Sequence, residues 1–320
     1  MTRRCFSQPS LADALVKSKA GRGGFLEDLS KTFDWGAIAT LFAQINAKAL
    51  GAPGYPPLAM FKIILLQQWY CLSDPAAEEA VRDRLSFRRF CGIPLDCETP
   101  DHSSIWRFRQ TIDKLKLTDQ LLAEVNRQLD AKKLVVKQGT MVDATIIAAA
   151  VKPPPYEEGQ VNLRDPDASF TIKNKKTYFG YKAHLAVDEG SELVRQAEMS
   201  SADLHDSQMG EKLIQGDEKA YYGDKAYDGK DLRKSLTDKG IDDRILYKAP
   251  PGKTLVHWKK WFNKVASVVR SGVERANGTM KQWYGMARVR YRGLKRNHCH
   301  LQFVCAAMNM KRALVLLKAA

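Results

Sequence analysis

The chain has 320 residues, 44% of them apolar and 27% charged, which is long enough for a sizeable core in two domains and too apolar for a disordered chain. Its formal charge is +15 and the excess is local: Arg244–Ala320 carries 17 Lys or Arg and a single acid, Glu274, whereas residues 1–243 sum to −1. A basic block of this kind points to a polyanionic partner, nucleic acid above all.

In chain order, the first residues (MTRRCFSQPSLADALVKSK) lack the apolar core of a signal peptide. Pro56-Pro57 open a helix that runs toward Cys71. Its Leu58–Leu66 portion is the longest apolar run, but it contains Lys62 and is too short to cross a bilayer, so no membrane role is expected. Asp74-Pro75 open another helix, with Ala77, Val81 and Leu85 at helical spacing, and Phe87–Gly92 reads as a short helix closed by its glycine. Thr99-Pro100-Asp101 then supplies an N-cap, a first-turn proline and an acid for the helix dipole. In the helix that follows, Ile105, Phe108, Ile112 and Leu115 form an apolar stripe beside a polar one of Arg107, Gln110 and Lys114. The pattern predicts an all-helical domain over residues 1–135. It is either a helix-turn-helix-like unit presenting Arg107, Arg109 and Gln110 to DNA, or an ordinary bundle with a solvated basic face.

Between Lys132 and Gly139 the helical period gives way to β-branched residues, which places a second domain at 136–320. Gly139–Ala148 reads as a strand that is apolar on both faces except at Asp143. Residues 152–176, rich in Pro, Gly, Asp and Lys, read as an insertion loop. Tyr178–Asp188 and Leu193–Ser201 form a strand pair, Asp206–Gly216 a helix, and Lys219–Tyr222 a strand leading into Gly223-Asp224. A helix at Lys230–Lys239, a strand within Ile241–Lys248 and a helix from Trp258 to Trp283 complete a mixed α/β domain, ending in a basic C-terminal tail. The six cysteines (5, 71, 91, 97, 299 and 305) include no CxxC pair and are too sparse for a disulfide scaffold, which predicts reduced thiols in a cytoplasmic protein. His298-Cys299-His300 with Cys305 lacks the spacing of a structural zinc site.

Three acids stand apart from the rest. Asp143 is costly in a doubly apolar strand unless it is paired or holds a cation. Asp224 follows the aromatic pair Tyr221-Tyr222 and a glycine, with Asp188, Asp203, Asp206 and Asp228 as competitors for the same role. Glu274 is the lone acid of the basic block. At 3.6 residues per turn, Glu274 lies about 40° and Lys281 about 20° around the helix from Arg270, with Asn277 beside them. A carboxylate among cations suits a salt-bridge network or a site that handles metal and phosphate together, and a polyanionic partner favours the second. Three carboxylates from two strands and a helix can hold two Mg²⁺ ions, a pair suited to in-line phosphoryl displacement.

These residues carry a family resemblance. Arg270-x3-Glu274-x6-Lys281 resembles the signature around the catalytic Glu of bacterial insertion-sequence transposases with an Asp-Asp-Glu triad. MVDATIIAA is similar to that family's first-Asp strand and YYGDKAYDG to its second. FGYKAHLAVD, SADLHDS, Gly293-Leu294-x2-Asn297 and AAMNMKRAL follow in the family's order. GYPPLAMFKIILLQQWY, FRRFCGIPL and TPDHSSIWRFR resemble the helical DNA-binding domain of the insertion-sequence-5-like group. One position departs: Ser267 stands where the broader signature has a Tyr associated with handling DNA near the cleaved end, which puts a hairpin or base-flipping role in doubt.

The resemblance implies an α/β protein with a ribonuclease-H-like mixed-sheet catalytic core and an N-terminal all-α DNA-binding domain. It implies a transposase that binds terminal inverted repeats, frees a 3′-OH by metal-dependent cleavage and joins that end to target DNA. Asp143, Asp224 and Glu274 would hold two Mg²⁺, for which Mn²⁺ substitutes, and Arg270 and Lys281 would contact phosphate or steady Glu274. DNA contacts are expected from Arg107, Arg109 and Gln110 and from Arg288, Arg290, Arg292, Lys295 and Arg296 in the tail. If extended, Arg288, Arg290 and Arg292 point one way along a strand-like arm. His184 and His205 are expected to hydrogen-bond near the site rather than ligate metal. A homodimer on double-stranded DNA, acting at the nucleoid in the cytoplasm, follows from the need to pair two ends. The competing readings are a related metal-dependent DNA nuclease, a non-catalytic DNA-binding repressor and a basic RNA-binding protein.

Overall fold

The computed structural model describes residues 24–45, 54–153, 155 and 163–319. The N-terminal segment with Cys5 and part of the 152–176 insertion lie outside the described residues. The chain divides into two compact units: residues up to Gln128 with Ala313–Ala320, and Leu129–Arg312.

The first unit is helical: α1 (Phe25–Thr32), α2 (Trp35–Leu41), a short 3-10 turn (Phe42–Gln44), α3 (Pro57–Trp69), α4 (Asp74–Asp83), α5 (Leu85–Cys91), α6 (His102–Lys114) and most of α7 (Leu117–Ala131). Pro57 sits at the start of α3, where its missing N–H costs nothing. This helix is buried on every side, with Phe61, Ile63, Ile64, Leu65 and Leu66 inaccessible to solvent. Lys62, which interrupts the apolar run, lies 4.3 Å from the centre of the Trp35 ring, and burial lowers its pKa. Trp35, Trp69 and Phe90 pack edge to face around it. Ser73 caps α4, and Gly92 ends α5 in the left-handed conformation with φ 70°. The N-cap of α6 is Asp101, which accepts from Ser104 N at 2.7 Å, rather than Thr99. Pro100 therefore lies outside the helix, where it keeps the preceding residue extended.

The second unit is built on a six-stranded mixed sheet. Its strands are β1 (Thr140–Ala148), β2 (Ser169–Lys173), β3 (Lys176–Asp188), β4 (Val194–Ser201), β5 (Ala220–Tyr222) and β6 (Asp242–Asp243). The order is β2-β3-β1-β5-β6, with β4 also on β3. β1 pairs antiparallel with β3 and parallel with β5, and β5 pairs parallel with β6. A central strand buried on both faces needs the unbroken apolar run that surrounds Asp143. Gly180 (φ 156°) lies so close to β1 that a Cβ would sit 2.2 Å from the Ile147 carbonyl oxygen, so only glycine permits this crossing.

Helix α8 (Lys230–Asp238) packs Leu232 and Leu236 against Val142, Ala186, Tyr221 and Ile245. Helix α9 spans His257–Trp283 and α10 spans Leu294–Ala319. On α10, Asn309 pairs with both backbone groups of Val194, at 2.8 and 2.7 Å, and Gln302 donates to Ala197 O at 2.8 Å. Those side chains cover the outer edge of β4.

The elements expected from sequence shift in three places. Asp206–Gly216 is two short 3-10 turns, Asp206–Gln208 and Glu211–Leu213, rather than a helix, because its apolar residues Met209 and Leu213 fit a coil packed under the sheet. The strand expected in Ile241–Lys248 keeps a ladder only at Asp242–Asp243, after which Ile245 and Leu246 turn into the core. The insertion contains a strand of its own, β2, which pairs with an N-terminal extension of β3.

Candidate active site

Strand register sets the first two carboxylates. Met141 on β1 pairs in parallel with Tyr222 on β5, and two residues further along each chain stand Asp143 and Asp224. Parallel neighbours advance together, so Asp224, just past the end of β5, comes level with Asp143 in the middle of β1. Gly223 continues the arrangement by accepting from Leu246 N at 3.0 Å. Asp224 then caps a short 3-10 turn, Lys225–Tyr227, by accepting from Ala226 N at 2.8 Å.

Helix α9 crosses β1 and supplies the rest. Gly272 lets it approach closely: a Cβ there would lie 2.7 Å from Met141 Cε. Arg270, one turn before Glu274, donates to Asp143 Oδ1 at 3.3 Å and to Glu274 Oε1 at 2.7 Å. Its guanidinium thus bridges the first and third carboxylates. Asn277, two turns beyond Arg270 on the same face, donates to Asp143 Oδ2 at 3.1 Å. Both oxygens of Asp143 are therefore held by α9. Glu274 remains 57% exposed at its side chain, whereas that of Asp143 is 21% exposed.

Burial pushes the Asp143 carboxyl up to about 6. Arg270 and Lys173 oppose the rise, and the nearby negative charges of Asp224 and Glu274 add to it. Lys281 is held below the usual ammonium range by burial and by Lys173, with Asp143 acting the other way. Under the sheet, His184 contacts Ser200 Oγ at 2.8 Å and the Tyr227 hydroxyl at 3.4 Å. Burial lowers His184 to about 4 and raises Tyr227 well above its ordinary value, so both are neutral supports. His205 accepts from Ser207 N at 3.3 Å, and Asp206 is paired with Lys182 at 2.8 Å.

Among the described residues no three His, Cys, Asp or Glu side chains converge closely enough to ligate one ion directly; Arg270 stands between Asp143 and Glu274. The donor chemistry nevertheless fits a hard divalent cation. It comprises carboxylate oxygens within electrostatic range of one another, together with Asn277 Oδ1, which is buried without a hydrogen-bond partner.

The other sequence-predicted residues are dispersed. Arg288 is exposed and bridges in parallel to Ala148, the last residue of β1, while Val289 beside it is buried. Arg292 is exposed and Arg290 half-buried in the same irregular segment. Lys295 and Arg296 lie in the first turns of α10. On α6, Arg107 is exposed and Gln110 half-buried. Arg109 requires a correction: it is 6% exposed and bound to Asp74 Oδ1 at 2.6 Å and Gln67 Oε1 at 3.1 Å, so its guanidinium is spent inside the bundle. It occupies the inward i+4 position from Ile105, a place the polar label of arginine conceals.

Two residues of the site carried no assigned role in the sequence. Asn277 could have been found by its seven-residue spacing from Arg270, whereas nothing local marks Lys173.

Level acids on neighbouring strands and a crossing helix with Arg, Glu and Asn bring carboxylates, a guanidinium and an amide to one place, a set of groups suited to phosphate chemistry. Residues 136–310 match the Transposase DDE domain family, and residues 13–111 match the transposase domain (DUF772) family. The chain belongs to the DDE transposases of the insertion-sequence type, enzymes that act on DNA and generally use divalent metal ions. No solved structure matches the chain at a significant level. No helix among the described residues is long and apolar enough to cross a membrane.

Proposed function

We propose that the chain is the transposase of a bacterial insertion sequence of the insertion-sequence-5-like group. It binds terminal inverted repeats, cleaves a strand to free a 3′-OH and joins that end to target DNA. The observation that carries this reading is the Arg270 bridge from Asp143 to Glu274, beside an Asp224 level with Asp143. The strand sequence β4-β3-β1-β5-β6 supports a ribonuclease-H-like core, with β2 as an addition at its edge.

Asp143, Asp224 and Glu274 would hold the divalent cations. When bound, these ions supply an activated attacking oxygen and stabilise the leaving oxygen of an in-line displacement. Asn277 fixes the rotamer of Asp143 through Oδ2, so that Oδ1 faces Arg270. Arg270 orients Glu274, and its guanidinium places positive charge where a phosphate would lie. Lys281 adds a half-buried cation on the same helix face. Outside the core, Arg107 and Gln110 present the polar edge of α6 to a groove, and Arg288, Arg290, Arg292, Lys295 and Arg296 contact phosphates. Pairing two ends requires two copies on the DNA.

Glu274→Gln keeps the shape of the side chain and removes its charge. It is expected to abolish strand cleavage in Mg²⁺ and to leave duplex binding nearly intact. Equal nicking of a plasmid carrying the element ends by variant and parent would overturn the assignment.

A further inference from the structure

Beyond Phe179, β3 pairs with β2 alone, since the β1 and β4 ladders begin at Gly180 and Tyr181. The end of the ribbon, from Lys176 to Tyr178 with its β2 partners, therefore extends beyond the β1 and β4 ladders. The ribbon is pinned at its base, where Ser169 Oγ donates to Asp203 Oδ1 at 2.8 Å and accepts from Asp203 N at 2.8 Å. The Phe170 and Phe179 rings stiffen it at a centroid distance of 4.9 Å.

Its tip is built against local preference. Asn174 and Lys175 take positive φ (51° and 60°) in a two-residue turn whose second position favours glycine. Lys173 and Lys176 form the closing cross-strand pair, so like charges face each other where opposite ones are favoured. Every residue from Ile172 to Thr177 is exposed, and none is acidic. A tip with three lysines in four residues is unfavourable alone and favourable once an anion lies across it.

The placement says which anion. The ribbon springs from Gly180, which pairs with Ala148, and Ala148 bridges to Arg288. Lys173 is close enough to act electrostatically on Asp143 and on Lys281. The ribbon thus carries cations at its tip and has Arg288 beside its base, with Lys173 within electrostatic range of Asp143, a spread of positive charge that a chain of phosphates would match.

We propose that the ribbon Ser169–Gly180 is a DNA-backbone clamp whose Lys173, Lys175 and Lys176 hold phosphates of duplex DNA beside the carboxylate cluster. This inference rests on the transposase reading and adds to it a DNA-holding element that lies outside the helical unit and the basic tail.

The test compares K173Q/K175Q/K176Q with K230Q/K234Q/K239Q, an equal removal of exposed lysines at and next to α8. Binding of the full chain to a random-sequence duplex is titrated against salt, with thermal melting as a check that both variants fold. The ribbon variant is expected to lower the magnitude of the log–log slope by about 0.9 for each phosphate no longer neutralised, with the control unchanged. It should also slow Mg²⁺-dependent cleavage at limiting DNA. An unchanged slope in the ribbon variant overturns the clamp while leaving the parent's binding and cleavage, and so the transposase reading, intact. Equal flattening in the control also overturns it, since net charge alone would then suffice. A parent that neither binds nor cuts DNA overturns both.

Discussion

At the scale of single residues, Asp143 decides how the site responds to pH. Its folded pKa of about 6 lies above its ordinary 3.8, so the folded protein holds this proton more tightly than the unfolded chain. The stability it contributes is fully present below pH 3.8, declines as pH rises toward 6 and is absent above. The difference corresponds to on the order of 3 kcal/mol. Asp143→Asn is therefore expected to melt higher than the parent at pH 7.5, the gain vanishing near pH 4, while strand cleavage is lost at every pH. A variant that melts lower at pH 7.5 would show that Arg270 outweighs burial. The sequence displayed the acid and its apolar strand plainly. It carried no sign that Asn277 and Arg270 would occupy both carboxylate oxygens, because those hydrogen bonds depend on where α9 crosses β1.

Between helices, Arg109 shows how a residue type can mislead. Its guanidinium joins α6 to Asp74 on α4 and Gln67 on α3, with its own side chain only 7% exposed. Arg109→Ala should cost about 3 kcal/mol in urea unfolding by removing the buried cation that pairs with Asp74. Arg107→Ala, on the solvent side of the same helix, should leave stability within about 0.5 kcal/mol and weaken duplex binding. If instead Arg109→Ala unfolds like the parent and loses DNA affinity, the helix is turned the other way. Elements with strong signals were legible: the prolines that open α3 and α4, the glycine that ends α5, and the long period of α9. Those that failed are held by tertiary packing rather than local preference. The Asp206–Leu213 turns bury Leu213 against the core of the sheet, and β6 is a two-residue ladder that exists because β5 lies beside it.

For the whole molecule, the uneven charge becomes a spatial statement. The basic block contributes Arg270 and Lys281 to the carboxylate cluster and Arg288 to the end of β1, while its single acid sits among them as the partner of Arg270. Replacing Arg288, Arg290 and Arg292 by Ala should flatten the salt dependence of duplex binding by about one unit per phosphate released, measured by fluorescence anisotropy; an unchanged slope would remove that segment from the interface. The level pair of acids has a further consequence, in the order of synthesis. Asp143 and Asp224 become neighbours only after the chain has completed β3 and β4 and returned to pair β5 with β1, and Glu274 arrives fifty residues later still. A growing chain completes most of its helical unit long before it owns a third carboxylate. On the proposed reading, translation stopped between residues 131 and 274 would yield a product that keeps Arg107 and Gln110 but lacks Glu274, one that occupies the element ends without cutting them and so competes with full-length copies.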